Sequence, residues 1–198
     1  MASILDQVMQ QLQGGGIGQM SQSLGLGEED VSSVVSGAVP ALMAALVHNS
    51  GSADGASALL GALDRDHDGS ILDDVAGFLG SAGSADQGAG IVRHALGSRQ
   101  ARVETALSQT SGVDMASVSR IIAMVAPLVM GALGRSKQQQ GLDAGGLASM
   151  LGQEREVARQ RSPEAVDMLT RFLDADDDGS AMDDVAAMGT KLLGNLFK

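Results

Sequence analysis

"VSSVVSGAVPALMAAL" occupies residues 31–46, and "VSRIIAMVAPLVMGAL" occupies residues 118–133. The two align without a gap at a separation of 87 positions: Val31 with Val118, Pro40 with Pro127, Met43 with Met130, Leu46 with Leu133. Gly25 and Gly112 keep the same separation upstream. Self-similarity at a fixed distance means that one supersecondary unit is built twice. Neither stretch alternates apolar and polar residues as a half-buried strand does. They read as a buried helix pair. A proline inside a helix removes a hydrogen bond and crowds the preceding turn, so Pro40 and Pro127 are each expected to mark a kink or a break.

Outward from these runs the pattern stays helical. "SILDQVMQQLQ" opens with Ser3 and Asp6 spaced as a capping box, and Gly14–Gly16 stop it. "SADQGAGIVRHALG" has Ser84 and Gln87 in the same spacing and ends near Gly97. "SPEAVDMLTRFL" offers Ser162 as N-cap and Pro163 as first helical residue. The polar, glycine-rich "GRSKQQQGLDAGG" at 134–146 reads as a loop with some helix beyond it. The expectation is an all-α, multihelical chain of two related halves, 1–83 and 84–198, sharing one core, each half followed by an aspartate-rich loop.

Composition fits this. Phe78, Phe172 and Phe197 are the only aromatics among 198 residues, so the core must be built of Leu, Val, Ile, Ala and the 11 Met. The Met are read as core filling, the other use being an adaptable partner surface. The absence of Cys excludes disulfides, thiol catalysis and thiolate metal sites. The longest uncharged stretch, 31–53, carries Ser, Gly, Pro, His and Asn, and a membrane span is more apolar than that. "MASILDQVMQ" has no basic segment followed by an apolar one, so a cytoplasmic protein is expected.

The net charge is −11, and its distribution is uneven: 11 of the 24 acidic residues fall in two short loops. The first is "LDRDHDGSILDDVAG" at 63–77 and the second "LDADDDGSAMDDVAA" at 173–187. Like charges packed this densely repel unless something positive joins them. The spelling D-x-D-x-D-G follows the EF-hand loop, whose ligands stand at positions 1, 3, 5, 7 and 12. Asp64, Asp66 and Asp68 take positions 1, 3 and 5, Gly69 the turn, and Ser70 position 7. In the second loop the series is Asp174, Asp176, Asp178, Gly179, Ser180. Position 12 is Val75 or Val185 instead of Glu, so Asp74 and Asp184 are expected to close each site, with Asp73 and Asp183 as caps or outer groups. Hard oxygen ligands suit two Ca²⁺ per chain; Mg²⁺, which demands strict octahedral geometry, suits the loops less. The bland alternative is a run of Asx turns leading into an N-cap.

No His, Lys or Arg–Ser constellation recurs beside both loops, so the ions are read as structural and the chain as no enzyme. His67 stands inside the first loop, where the second has Asp177. His48 and His94 read as packing residues. A rival reading is a helix-turn-helix DNA-binding regulator: "LSQTSGVDMASVSRII" (107–122) and "MSQSLGLGEEDVSSVV" (20–35) each show helix, glycine turn, helix. Arg120 is the sole base on the second helix of one copy, and the other copy has no Lys or Arg before Arg65. Phosphate neutralisation supplies nonspecific DNA affinity, so no nucleic-acid partner is expected. A protein partner or self-association remains.

"SLGLGEEDVSSVVSGAVPALMAALVHNSGSADGASALLGAL", "GAGIVRHALGSRQARVETALSQTSGVDMASVSRIIAMVAPLVMGAL" and the terminal "LDADDDGSAMDDVAAMGTKLLG" together resemble the bacterial YidB-like domain-of-unknown-function family. The resemblance spans most of the chain and rests on small and apolar residues. It implies a bacterial, wholly helical protein with no established enzymatic activity. It carries over no catalytic residues.

Overall fold

The computed structural model describes residues 3–81 and 83–161, and all its regular elements there are helical. The first is α1 (Ile4–Gln11), capped as its spelling requires: Ser3 Oγ accepts from the Asp6 amide at 3.1 Å, and the Asp6 carboxylate accepts from the Ser3 amide at 3.3 Å. A π turn, Leu12–Gly16, joins it to α2 (Ile17–Leu24). Then come α3 (Glu28–Asn49), α4 (Ala53–Asp66), a 3₁₀ turn at Ser70–Asp73, and α5 (Val75–Gly80). The chain continues with α6 (Ser84–Leu96), a 3₁₀ turn at Gly97–Arg99, α7 (Gln100–Ser111), α8 (Met115–Gln140) and α9 (Ala144–Arg161).

Helices α3 and α8 pack on each other at the centre. Every residue of α8 from Ile121 to Gly134 is buried, a run too long for a helix with a solvent face. By length and composition both helices could cross a membrane, but the apolar window of α3 is 56% buried and that of α8 78% buried inside the fold. The outer helices pack around this pair: α1 on both α3 and α8, and α6 on both but chiefly on α8. Helix α4 also lies against α8 and α9, and α9 against α3. One hydrophobic cluster runs from Ile4 to Leu151. Met20, Met43, Met124 and Met130 sit inside it, Met9 and Met150 pack against it, and Met115 is 46% exposed.

The two central helices begin alike. Gly25 and Gly112 stop α2 and α7 in the left-handed conformation, at φ +68° and +75°, where glycine carries no steric penalty. Ser21 Oγ donates to the Leu26 carbonyl at 2.6 Å, and Ser108 Oγ donates to the Val113 carbonyl at the same distance.

Three local expectations are narrowed or corrected. Of the kink or break expected at each proline, the break is excluded: α3 runs on through Pro40 and α8 through Pro127. Pro127 still deprives the Ala123 carbonyl of its usual donor, and Gly88 of α6 lies directly on that carbonyl; a Cβ built there would fall 1.6 Å from the oxygen. Ser84 is the first residue of α6 and is buried; Gly83 stands at the N-cap and makes no side-chain cap. Finally, residues 134–140 are no loop. They are the last turns of α8, which ends at left-handed Gly141. The glycine and glutamine composition misled, because Gly131 and Gly134 serve close approach inside the helix. Ser162 and Pro163 lie outside the described residues.

Candidate functional site

The first aspartate loop begins on a helix. Leu63 anchors the last turn of α4 in the core, and α4 continues through Asp66. Asp64 and Asp66 therefore stand two residues apart on a helix, which turns them about 200° from one another. Asp64 pairs with Lys137 Nζ of α8. At His67 the chain leaves the helix, and Gly69 turns it at φ +94°. Burial pushes the His67 imidazole below its ordinary pKa, against the opposing charge of Asp66. Asp68 Oδ1 accepts from the Ser70 amide at 2.9 Å, and the hydrogen bonds of Ser70, hydroxyl before backbone, hold that carboxyl below the usual range.

The loop lies on the second half of α8. A Cβ built on Gly134 would fall 1.7 Å from the His67 carbonyl oxygen, and one on Gly131 would fall 2.4 Å from Ile71 Cγ2. Leu72 is buried. Arg135 Nη2 donates to the Gly69 carbonyl at 2.6 Å and to Asp73 Oδ1 at 2.5 Å. Asp74 caps α5, its Oδ1 accepting from the Gly77 amide at 2.8 Å.

The positive charge that this acidic turn needs thus comes from Arg135 and Lys137. The sequence reading missed both, because it placed them in a loop. The signal that marks them is Gly131 and Gly134 on one helical face with Arg135 adjacent. Asp74, expected to close the site, is a helix cap, and Asp73, expected as a cap or outer group, pairs with Arg135. Helix α5 starts at Val75, so Asp74 is its N-cap, while Asp73 takes the arginine. Among the described residues, no three His, Cys, Asp or Glu side chains gather into a group able to hold a metal ion. Asp64, Asp66, Asp68, Ser70 and Asp74 share one turn of chain but do not converge. Asp174, Asp176, Asp178, Ser180 and Asp184, with Asp183, lie outside the described residues.

A family model described as a bacterial protein of unknown function, DUF937, matches residues 6–138. The chain belongs to this family. The DUF937 match takes in α1 through α7 from Asp6 on and nearly all of α8, so it includes the first aspartate loop together with Arg135 and Lys137. It leaves α9 and the second loop outside. No curated protein and no solved structure matches the chain.

The helix-turn-helix spelling has a geometric counterpart in α7, Gly112 and α8, with Asp114 capping α8 through the Ser117 amide at 3.0 Å. A recognition helix must lay its first turns in the major groove with basic groups outward. Here α8 is buried from Ile121 to Gly134, and Arg120 is the sole base among its exposed first turns. An anisotropy titration with duplex DNA at physiological salt is expected to show no binding. Sub-micromolar, salt-dependent binding would bring the regulator reading back.

Proposed function

We propose that this chain is a non-enzymatic helical protein with a structural or protein-interaction role, built from two related halves, whose aspartate loops bind two Ca²⁺. One feature supports the halves: the paired serine-to-carbonyl bonds at a separation of 87 residues. The observation that carries the role is the seat of the first loop. It ties α4 and α5 of one half to α8 of the other, so whatever sets its charge sets the junction.

The donor set fits calcium in kind, since all its candidate ligands are hard oxygens. For Asp64 and Asp66 to face one ion, the last turn of α4 must open, and Lys137 must release Asp64. Calcium in this loop is therefore an exchange of tethered cations for a free one. Val75 stands in place of the usual closing Glu and is buried, which favours a fixed clamp over a sensor that opens.

Calorimetry on chelated protein is expected to give about two calcium ions per chain. Asp68→Ala and Asp178→Ala should each remove one. An ion that binds only the folded state adds about 2.7 kcal/mol at one hundred times its dissociation constant, so melting should move upward with calcium while the helical signal in the cold changes little, by no more than the one turn of α4 that opens. The absence of any heat at millimolar calcium would end the calcium reading.

A further inference from the structure

The fold does not treat its methionines alike. Met20, Met43, Met124 and Met130 are buried, with 0, 7, 2 and 4% of their surface exposed. Met9 and Met150 are half-buried against the core. The sulfur of Met150 is also engaged: Gln140 Nε2 donates to its Sδ at 3.8 Å. Met115 differs from all of these. Among the described residues it is the one large hydrophobic side chain that stands in water.

Its place on the helix explains the exposure. Met115 is the first residue of α8, just after the N-cap Asp114. Left-handed Gly112 and buried Val113 turn the chain out of α7, and residues 114–116 are exposed before α8 enters the core at Val118. The residue 87 positions earlier is Glu28, the exposed first residue of α3. The backbones entering the two helices match: the N-caps Gly27 and Asp114 have φ/ψ of −65°/147° and −63°/151°. A carboxylate is favoured there, because the first amides of a helix lack intrahelical partners and carry partial positive charge. Met115 puts an apolar thioether where the sister helix keeps an oxygen acceptor.

Oxidation reverses that. Methionine sulfoxide is polar and bears an S=O acceptor. At Met20, Met124 or Met130 it would leave an unpaired acceptor in the apolar core, which is costly. At Met115 the oxygen stays in water, beside the amides that open α8.

We propose that Met115 is an oxidation site of the folded chain: hydrogen peroxide converts it to the sulfoxide before the other described methionines, and the fold accommodates the product. In this step a lone pair of Sδ forms a bond to one peroxide oxygen and the O–O bond breaks. The departing hydroxide takes the proton of the transferred oxygen and leaves as water. The sulfur is oxidised by two electrons and the peroxide is reduced.

Trypsin cuts after Arg102 and Arg120, so Met115 is released as the sole methionine of 103–120, while 121–135 carries Met124 and Met130. The folded full-length protein is pulsed with hydrogen peroxide, quenched, digested and read by mass spectrometry. Susceptibility follows exposure, so 103–120 should gain its oxygen at least about ten-fold faster than 121–135, and the gap should close in urea. Equal rates in the folded protein, or a faster 121–135, overturn the proposal. Accommodation is read separately. The pulsed parent and an identically pulsed Met115→Leu variant should melt alike relative to their untreated forms. A larger fall in the parent would show that the sulfoxide at Met115 disturbs the fold, and would overturn that part.

Discussion

Gly88→Ala is expected to lower the stability of the fold by about 3 kcal/mol, the upper part of the usual cost of overpacking a core. The added Cβ falls 1.6 Å from the Ala123 carbonyl oxygen and 3.0 Å from Pro127 Cδ. Neither is the end of a flexible side chain, so α6 as a whole must back away. Its buried Val92, Ala95 and Leu96 would then lose contact with the core. For a domain of this size the melting temperature should fall by roughly 6–12 °C. Gly90→Ala is the control on the same helix. Nothing lies within 4 Å of a Cβ at that position, so the helix gains up to about 1 kcal/mol from the better helix former. Opposite signs two residues apart are the expected outcome. Equal melting of the Gly88→Ala variant and the parent would show that α6 does not dock on Ala123.

Gly134→Ala should cost about 2–3 kcal/mol, again as overpacking against backbone. The new methyl would meet the His67 carbonyl at 1.7 Å, so the aspartate loop must lift from α8. Lifting breaks the bond from Arg135 to the Gly69 carbonyl and uncovers Leu72. Removing the cation alone should matter less. In the Arg135–Asp73 pair the side chains are 31% and 72% exposed, and pairs that open to water contribute about 0–1 kcal/mol. Urea melts followed by helical circular dichroism would rank the two variants. An Arg135→Ala variant that loses more than Gly134→Ala would mean that charge, and not close packing, holds the loop.

The central helices were legible because their apolar runs are long and occur twice, and the capping box at Ser3 was legible because side-chain chemistry at a helix start is local. The loop's partners were not. Arg135 and Lys137 lie more than sixty residues from the acids they pair with, in a glycine-containing stretch that local composition assigns to a loop. Local spelling also gave the wrong end of the turn. It is the start of α5 at Val75, a consequence of Val75 and Leu79 reaching the core, that makes Asp74 the cap and leaves Asp73 for the arginine. At the prolines local propensity allows a kink or a break, and the buried surroundings of α8 exclude the break at Pro127.

The packing of α1 on both α3 and α8 has a bearing on how the protein is made. When the first eighty residues have left the ribosome, α1 and α3 lack α8, the surface they share in the finished fold. That surface arrives only after roughly sixty further residues, about 3–12 s at ordinary rates of synthesis. During this interval the nascent chain displays Val, Leu and Ala that have nowhere to go. Until α8 emerges, α1 and α3 can make with each other only part of the contacts they have in the finished fold.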